Sequence, residues 1–367
     1  MSDSPIRLLV LSPFPIQAAG TRFRISHYIP YLQANGFDVS VDAFFTPSFF
    51  QFLYRKGQYV RKALRFAGLA MRRLAAVTGA AQYDVIFIYR EAFPVGPPVV
   101  ERYLATRGPA IVLDFDDAIF LPNASDANRF AASLKYARKV STLVRLSNRV
   151  IVGNEYLARY ARAHNDAVTT IPTCVDTTRF VPRQGPRPPG PLVVGWTGSP
   201  TTTQYLTALG GVLRAVHARQ PFVVQVSGTE GPLGFEGLEV RELPWSLDRE
   251  VELFNTCDVG VYPLTDDEWA QGKCGFKAIQ FMACGVPVVA SAVGANLDII
   301  QDGVNGFLAS THDEWVEKLE RLLVDPELRA RFAAAGRRTV EERYSLRVNA
   351  PRFAETLRAA AKGRDRR

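Results

Sequence analysis

The sequence predicts an α/β protein built from two similar halves, each a parallel β-sheet covered by helices. Short strand-like apolar runs alternate with longer helical patterns along the whole chain, as they do in parallel α/β units. The proline- and glycine-rich stretch VPRQGPRPPGP interrupts this alternation once, at 181–191, and has no apolar period. The chain has 367 residues, which is enough for two domains of ordinary size.

These observations divide the chain into an N-terminal domain over 1–180, a linker over 181–191, a C-terminal domain over 192–345 and a closing helical segment over 346–367. Predicted strands of the two halves lie at 6–12, 37–43, 85–89, 110–114, 149–152 and 168–171, then at 192–196, 222–227, 238–241, 259–262, 286–290 and 306–308. Predicted helices lie near 22–34, 50–77, 97–106, 128–146 and 155–163, then near 202–218, 247–255, 276–284, 313–324, 327–342 and 346–361. Two such halves imply a cleft, and open α/β sheets bind ligands at the carboxyl ends of their strands.

Composition excludes several classes of protein. With 47% apolar and 22% charged residues, the chain is expected to fold rather than remain disordered. No apolar run approaches the roughly 18 residues of a membrane-spanning helix. The N-terminal stretch lacks the basic start of a secretory signal, and the cysteines have neither CxxC nor zinc-type spacing, so we expect free thiols in the cytoplasm.

Positive charge concentrates in one segment. The chain carries 44 basic and 36 acidic residues, a net charge of +8, and no acidic residue lies between Asp42 and Asp84. Aromatic and aliphatic residues alternate there with positive charges, which is typical of a basic amphipathic helix or helix pair on an anionic bilayer. A helix that packs on its own sheet and exposes a basic face fits the pattern equally well. The candidate membrane-binding residues are Arg55, Lys56, Arg61, Lys62, Arg65, Arg72 and Arg73.

Turns after predicted strands supply candidate anion sites. In the first half, Gly20, Thr21 and Arg22 open a helix, where glycine permits close backbone approach and free amides attract anions. The matching turn of the second half carries Gly198 and Ser199, which fit either simple helix capping or phosphate binding by exposed amides. Asp42, at the end of the second strand, stands where an acid that binds ribose would lie, although an ordinary turn aspartate fits as well.

The segment GKCGFKAIQFMACGVPVVAS, 272–291, is the strongest candidate. A helix that starts near Gly275 presents one apolar stripe to the sheet and a polar stripe toward the cleft. Lysines at the start of a helix strengthen an anion site, because their charge adds to the helix dipole and the free amides. The candidate residues of this segment are Lys273, Gly275, Phe276, Lys277 and Gln280.

Three carboxylates cluster in LDFDDAIF, at Asp114, Asp116 and Asp117. They fit a divalent-metal site, a helix cap, or acids in the cleft that orient or deprotonate a hydroxyl. We favour the cleft, because clustered acids repel one another unless something compensates their charge.

Several motifs also resemble a known family. MACGVPVVAS at 282–291 and DGVNGFL at 302–308 resemble the donor-binding region of GT-B glycosyltransferases, specifically glycosyltransferase family 4 (group 1). The stretches at 20–39, 149–157 and 169–180 resemble other segments of that family in order and spacing, so the likeness spans nearly the whole chain.

The resemblance implies two Rossmann-like, doubly wound parallel-sheet domains facing across a cleft, with the closing helix crossing back to the N-terminal domain. It also implies transfer of a sugar from a nucleotide-diphosphate sugar, with retention at the anomeric carbon and without a metal or other cofactor. In this likeness Asp116 and Asp117 fall near the acceptor and the donor sugar. Two positions that are usually glutamate in the family are Gly272 and Gln280 here, so a catalytically impaired nucleotide-sugar binder stays open, as does an epimerase.

The expected acceptor is a saccharide or a lipid-linked sugar in the synthesis of a surface polysaccharide or glycolipid. Nucleic acid is not expected as a partner, because the positive charge sits on one helix and no recognised binding module is present. The expected location is the cytoplasm, with peripheral contact at the inner face of the cell membrane if the basic segment binds lipid.

Overall fold

In the computed structural model, the described residues are 4–53, 57–121, 138–229 and 231–363. They form two units, divided between Thr173 and Cys174 and again between Val348 and Asn349. Arg55, Lys56 and the predicted helical residues 128–137 lie outside the described residues.

The first unit contains a parallel sheet with strand order β2-β1-β3-β4-β5-β6. Its central strands β3 and β4 are buried at every residue, because helices cover both faces of the sheet. The chain passes from β2 across β1 to β3, so the topological switch point lies between β1 and β3. The strands are β1 Ile6–Ser12, β2 Phe37–Ala43, β3 Val85–Tyr89, β4 Ala110–Phe115, β5 Arg149–Val152 and β6 Val168–Thr170.

The helices of the first unit connect these strands. The segment predicted as one helix or a helix pair forms two helices, α3 and α4. The helices are α1 Ala19–Arg24, α2 Ile29–Ala34, α3 Pro47–Leu53, α4 Tyr59–Thr78, α5 Val99–Ala105, α6 Lys139–Leu146 and α7 Glu155–Arg162.

The second unit has a parallel sheet of strand order β12-β11-β10-β7-β8-β9, with its switch point between β7 and β10. Its core packs Trp196 and Phe222 of the sheet against Leu319 and Phe332 of the covering helices. The strands are β7 Leu192–Thr197, β8 Phe222–Ser227, β9 Glu239–Glu242, β10 Val259–Tyr262, β11 Val288–Ser291 and β12 Phe307–Ala309.

Two predicted helices of this unit are shorter or divided. The one predicted near 247–255 is α10 alone, and the one near 202–218 is broken into α8 and α9. The helices are α8 Thr203–Ala208, α9 Gly210–His217, α10 Glu252–Asn255, α11 Glu268–Gln271, α12 Phe276–Ala283, α13 Asn296–Ile299, α14 His312–Val324, α15 Pro326–Thr339 and α16 Leu346–Gly363. The predicted fold class, two doubly wound parallel sheets flanked by helices, is confirmed.

The proline-rich stretch 181–191 and the closing helix have defined contacts. Arg187 donates from Nε to Asp258 Oδ1 at 2.8 Å, so this stretch is held against the second unit. The closing helix α16 spans the division between the units. In the first unit its Phe353 stacks on Tyr28 with ring centroids 4.4 Å apart. None of the described helices is long and apolar enough to cross a membrane.

Candidate functional site

The three clustered carboxylates lie at the carboxyl end of β4, one strand away from the switch point between β1 and β3. Asp114 is paired with Arg24 of α1, whose Nε donates to Asp114 Oδ2 at 2.9 Å; both side chains are buried. Arg24 also donates to the carbonyl of Ile171 at 2.7 Å. The ion pair between Arg24 and Asp114 therefore holds α1 and the loop after β6 on the sheet, and Asp114 has a structural role.

Asp116 and Asp117 share one cation. Arg90, directly after β3, donates from Nη2 to Asp116 Oδ1 at 2.9 Å and also to Asp117 Oδ2. The hydroxyl of Tyr89 donates to the same Asp116 oxygen at 2.8 Å. Arg90 adopts a left-handed backbone conformation, φ 62°, which is uncommon for a residue other than glycine. The mutual repulsion expected of the acids is thus compensated by Arg90, directly after β3, and by Arg24 of α1.

This arrangement keeps Asp116 ionised. Burial by itself would raise the pKa of Asp116, but the charges of Arg90 and Arg24 and the hydrogen bonds that it accepts lower the pKa below its ordinary value. Burial raises the pKa of Tyr89 well above its ordinary value, so its hydroxyl stays a donor. A carboxylate with a lowered pKa is a good hydrogen-bond acceptor and a weak base.

The candidate residues at the start of α1 pack tightly against this network. A Cβ on Gly20 would lie 2.0 Å from the Tyr89 hydroxyl oxygen, so only glycine fits there. The Thr21 hydroxyl donates to the carbonyl of Phe14 at 2.9 Å and lies 2.9 Å from Ser12 Oγ. Arg22 is buried, with its guanidinium 4.7 Å from the Phe23 ring centroid. As α1 has only six residues, its start offers little of a helix dipole.

One candidate membrane-binding residue, Arg73, is corrected by the structure. Its side chain is 0% exposed, and it donates from Nε to Asp42 Oδ2 at 2.8 Å and from Nη2 to the carbonyl of Ser12 at 3.1 Å. The prediction that Arg73 faces a bilayer is wrong, because it ties α4 to the strand ends. Arg72 also binds Asp42, at 3.3 Å, so this aspartate is engaged by two arginines.

In the second unit, the backbone amides of the turn after β7 already donate hydrogen bonds to other groups of the protein. The Gly198 N–H donates to the carbonyl of Ser227 at 3.0 Å, and the Ser199 N–H donates to Thr202 Oγ1 at 2.9 Å. Ser199 and Thr202 form a capping box around a short 3₁₀ turn. This corrects the expectation that these two amides are open to phosphate; the capping interpretation holds.

The start of α12 has a distinctive geometry. Gly275 has φ 62°, and a Cβ there would lie 2.1 Å from Ile299 Cδ1, so both the conformation and the packing require glycine. Lys273 lies with Nζ 4.7 Å from the Trp269 ring centroid, and the following Phe276 is partly buried. Lys277 donates to Gln280 Oε1 at 2.9 Å. Both lysines thus lie within one turn of the same glycine.

Gln280, on the stripe expected to face the cleft, is itself 0% exposed. Among the described residues, its Nε2 has no hydrogen-bond partner. An unsatisfied buried donor costs about 1–3 kcal/mol, so this atom is suited to a ligand oxygen.

Three further buried polar atoms near the carboxyl edge of the second sheet have no hydrogen-bond partner within the part of the chain that the structure describes. They are Thr203 Oγ1 after β7, Ser227 Oγ at the end of β8 and Asn296 Oδ1 after β11. Asn296 lies beside α12, since a Cβ on Gly275 would be 3.1 Å from its Oδ1. Unused donors and acceptors therefore gather at the edge where open α/β sheets bind ligands.

Sequence reasoning missed the side chains that organise these edges. Arg24, Tyr89 and Arg90 act over sequence separations that a single chain does not reveal, although a Tyr-Arg pair directly after a buried strand was an available signal. Within the described residues, no group of three or more histidine, cysteine, aspartate or glutamate side chains could hold a metal ion.

Comparison with known proteins adds an independent observation. Residues 242–339 match the family Glycosyl transferases group 1. This range contains Lys273, Lys277 and Gln280 as well as Asn296, but neither Thr203 nor Ser227, so the match covers part of the edge that carries unsatisfied polar atoms.

Curated relatives are similar over about half of the chain. The D-inositol 3-phosphate glycosyltransferase of Stackebrandtia nassauensis is 32% identical over 212 residues, which are 49% of this chain and 46% of the relative. The protein of the same name from Saccharomonospora viridis is 31% identical over 241 residues, 56% of this chain and 53% of the relative. The chain thus spans about half the length of the curated relatives it matches.

Solved structures are similar over nearly the whole chain. A sucrose-phosphate synthase from Thermosynechococcus elongatus has a TM-score of 0.71 at 16% identity, covering 97% of this chain and 98% of its own. HepE from Anabaena, solved with UDP and glucose, has a TM-score of 0.69 at 17% identity, covering 96% and 100%. These are GT-B glycosyltransferases, and the fold of this chain is therefore GT-B.

Proposed function

We propose that this protein is a glycosyltransferase that moves a sugar from a nucleotide-diphosphate sugar to a saccharide or lipid-linked acceptor, with retention at the anomeric carbon and without a metal. The observation that carries the proposal is the buried, unsatisfied Nε2 of Gln280 beside Lys277, at the start of α12. The match of 242–339 to the group 1 family supports it, because the match includes these residues.

The donor site of the proposal is the carboxyl edge of the second sheet. Lys273 and Lys277 bring two cations to the start of α12, and the Gln280 amide adds a neutral donor. During transfer the bond between the anomeric carbon and the diphosphate oxygen breaks, and negative charge develops on the departing nucleoside diphosphate. Cations fixed in advance at that position stabilise the transition state more than the ground state.

The acceptor side of the proposal uses Asp116 and Asp117. Because Arg90 and Tyr89 keep Asp116 ionised with a lowered pKa, Asp116 orients the acceptor hydroxyl by accepting its hydrogen bond. It is a weak base, so the hydroxyl proton passes to an oxygen of the departing diphosphate as the new bond to the anomeric carbon forms. That transfer takes place on the face from which the diphosphate leaves, which accounts for retention.

The experiment that tests the proposal has a binding arm and a turnover arm. In the binding arm, thermal shifts and calorimetry measure nucleoside diphosphates and nucleotide sugars against the wild type, Lys273→Ala and Lys277→Ala, with chelator present. We expect saturable binding of one nucleotide class, weakened about tenfold or more in each variant because one charged hydrogen bond is lost.

In the turnover arm, the nucleotide sugar that binds is offered with saccharide acceptors, lipid-linked acceptors and inositol 3-phosphate, and the anomeric configuration of the product is read by NMR. We expect release of the nucleoside diphosphate and a product with the donor's configuration. Binding without turnover on any acceptor would favour the impaired binder, and an interconverted donor would favour an epimerase. Equal nucleotide affinity in the wild type and both lysine variants would contradict the donor site.

A further inference from the structure

Helix α4 carries an apolar stripe that its own unit does not cover. Four of its side chains are largely exposed: Val60 at 75%, Leu64 at 70%, Met71 at 67% and Leu74 at 42%. They are four, seven and three residues apart, which at about 100° per residue places them on one side of the helix. The side that packs on the unit is a different one, marked by the buried Arg73 and Val77. The sequence alone left open whether the apolar residues of this segment face the sheet; these four face away from it.

Positive charge borders this stripe. Arg61 and Arg65 are exposed, and their guanidinium carbons lie 5.5 Å and 5.1 Å from the ring centroid of Phe52. No acidic residue occurs between Asp42 and Asp84, so nothing along α4 itself neutralises them. An exposed apolar stripe beside arginines is the pattern of helices that lie in the plane of a bilayer surface.

We propose that α4 docks on the surface of an anionic lipid bilayer, with the apolar stripe below the headgroups and Arg61 and Arg65 at the level of the lipid phosphates. Charge complementarity selects this occupant. A second copy of the chain would set the same two arginines against each other, and like charges across an interface are unfavourable. The stripe runs over about 21 Å of helix, long enough to contact several lipids.

Docking also orients the first unit. On the inner side of α4, Arg73 donates to Asp42 and to the carbonyl of Ser12, at the carboxyl ends of β2 and β1. A docked helix therefore holds that edge of the sheet close to the bilayer. If the protein transfers sugar to a lipid-linked acceptor, this position gives the first unit access to that acceptor. This last consequence rests on the proposed function, whereas the docking itself does not.

The test is co-sedimentation of the full chain with phosphatidylcholine vesicles, with and without an equal part of phosphatidylglycerol, at low and high salt. We expect binding to the anionic vesicles that weakens as salt rises, and much weaker binding to the neutral vesicles. The double variant Leu64→Gln and Met71→Gln should lose binding about tenfold or more. Its matched control, Val304→Gln with Val324→Gln, changes valines that are 49% and 57% exposed in the second unit and should bind as the wild type does.

A second pair of variants tests the charges. Arg61→Gln with Arg65→Gln should weaken binding at low salt by about fivefold for each charge, and the difference should vanish at high salt. Arg331→Gln with Arg338→Gln removes the same net charge from exposed positions of α15 and should leave binding nearly unchanged.

Three results would overturn the proposal. They are no binding to anionic vesicles at low salt, equal binding to neutral vesicles, and a Leu64/Met71 double variant that binds as its control does. Sedimentation velocity tests the remaining alternative, which is that the stripe binds a second copy of the chain. That alternative would hold if the wild type forms a dimer, does not bind vesicles, and becomes a monomer in the Leu64/Met71 double variant. All these readouts measure binding, so their failure leaves the proposed sugar transfer standing.

Discussion

Replacing Gln280 by methionine should separate stability from binding, because the structure gives this residue an unmet hydrogen-bonding requirement. Methionine has nearly the same volume, so the change leaves no cavity. Removing the unsatisfied Nε2 relieves about 1–3 kcal/mol, whereas losing the charged hydrogen bond from Lys277 costs about 1.5–3 kcal/mol. The two effects nearly cancel, so the free energy of unfolding of the unliganded variant should lie within about 2 kcal/mol of the wild-type value.

Ligand binding should weaken clearly, although the stability changes little. A hydrogen bond to an anionic ligand oxygen contributes about 1.5–3 kcal/mol, so Gln280→Met should weaken binding of the nucleoside diphosphate about 10- to 100-fold. Urea unfolding of the unliganded protein measures the first quantity, and isothermal calorimetry measures the second.

Gln225→Met is the matched control for this prediction. Gln225 is buried on β8 of the same unit, and its Nε2 lies 2.9 Å from both the Leu253 carbonyl and Thr256 Oγ1. Its Oε1, like Nε2 of Gln280, has no hydrogen-bond partner among the described residues, so its replacement sets two lost hydrogen bonds, about 1–3 kcal/mol, against the relief of one unsatisfied acceptor. The variant Gln225→Met should therefore leave nucleotide affinity unchanged. If Gln280→Met leaves the affinity unchanged as well, then Gln280 is a structural residue and the reasoning fails.

Three further predictions concern the first unit. Gly20→Ala should lower the free energy of unfolding by about 1–3 kcal/mol, because its methyl group overlaps the Tyr89 hydroxyl. In a double-mutant cycle measured by urea unfolding, adding Tyr89→Phe to Gly20→Ala should recover part of that loss, because the clashing hydroxyl is removed. If the losses of the two single variants simply add up in the double variant, the clash is ruled out. Arg73→Met should cost about 3–5 kcal/mol, since it leaves the carbonyl of Ser12 and part of the Asp42 charge uncompensated, and thermal melts should reveal it even if vesicle binding is unchanged. Because the pKa of Asp116 is lowered in the folded protein, its ionisation stabilises the fold above the unfolded pKa of about 3.9, and this contribution is lost as the pH falls through the lower folded value. Arg90→Gln should remove most of that contribution, so its deficit relative to the wild type should be larger at pH 7 than at pH 3; an equal deficit at both values would contradict the ionised pair.

Local patterns were sufficient to predict the two sheets. Runs such as 8–11 in β1 and Val85–Tyr89 are continuous and apolar because both faces of a parallel strand are buried, and this signal survives in a single sequence. The helix ends were less accurate, since tertiary contacts decide where a helix stops. The helical pattern near 247–255, for example, forms a helix only at Glu252–Asn255.

The candidate site was predictable only in part. The polar positions at strand ends, such as Lys277 and Asp116, follow from the rule that parallel sheets bind ligands at their carboxyl edge. Which of them are already engaged does not follow, because pairing depends on residues far apart in sequence, as in Arg24 with Asp114. Ser199 is a different case, because Thr202, only three residues further on, accepts from its amide in a capping box. The sequence had left this capping open as an alternative to phosphate binding.

The central claim is that the carboxyl edge of the second sheet binds a nucleoside diphosphate through the lysines at the start of α12. The most direct measurement is a calorimetric titration of the wild type and the Lys273→Ala/Lys277→Ala double variant with nucleoside diphosphates, in the presence of chelator. The account predicts one site per chain in the wild type and an affinity at least about 100-fold lower in the double variant, because two cations that contact the diphosphate are lost. A correctly folded wild type that binds none of the nucleoside diphosphates, or a double variant that binds them equally well, would contradict it.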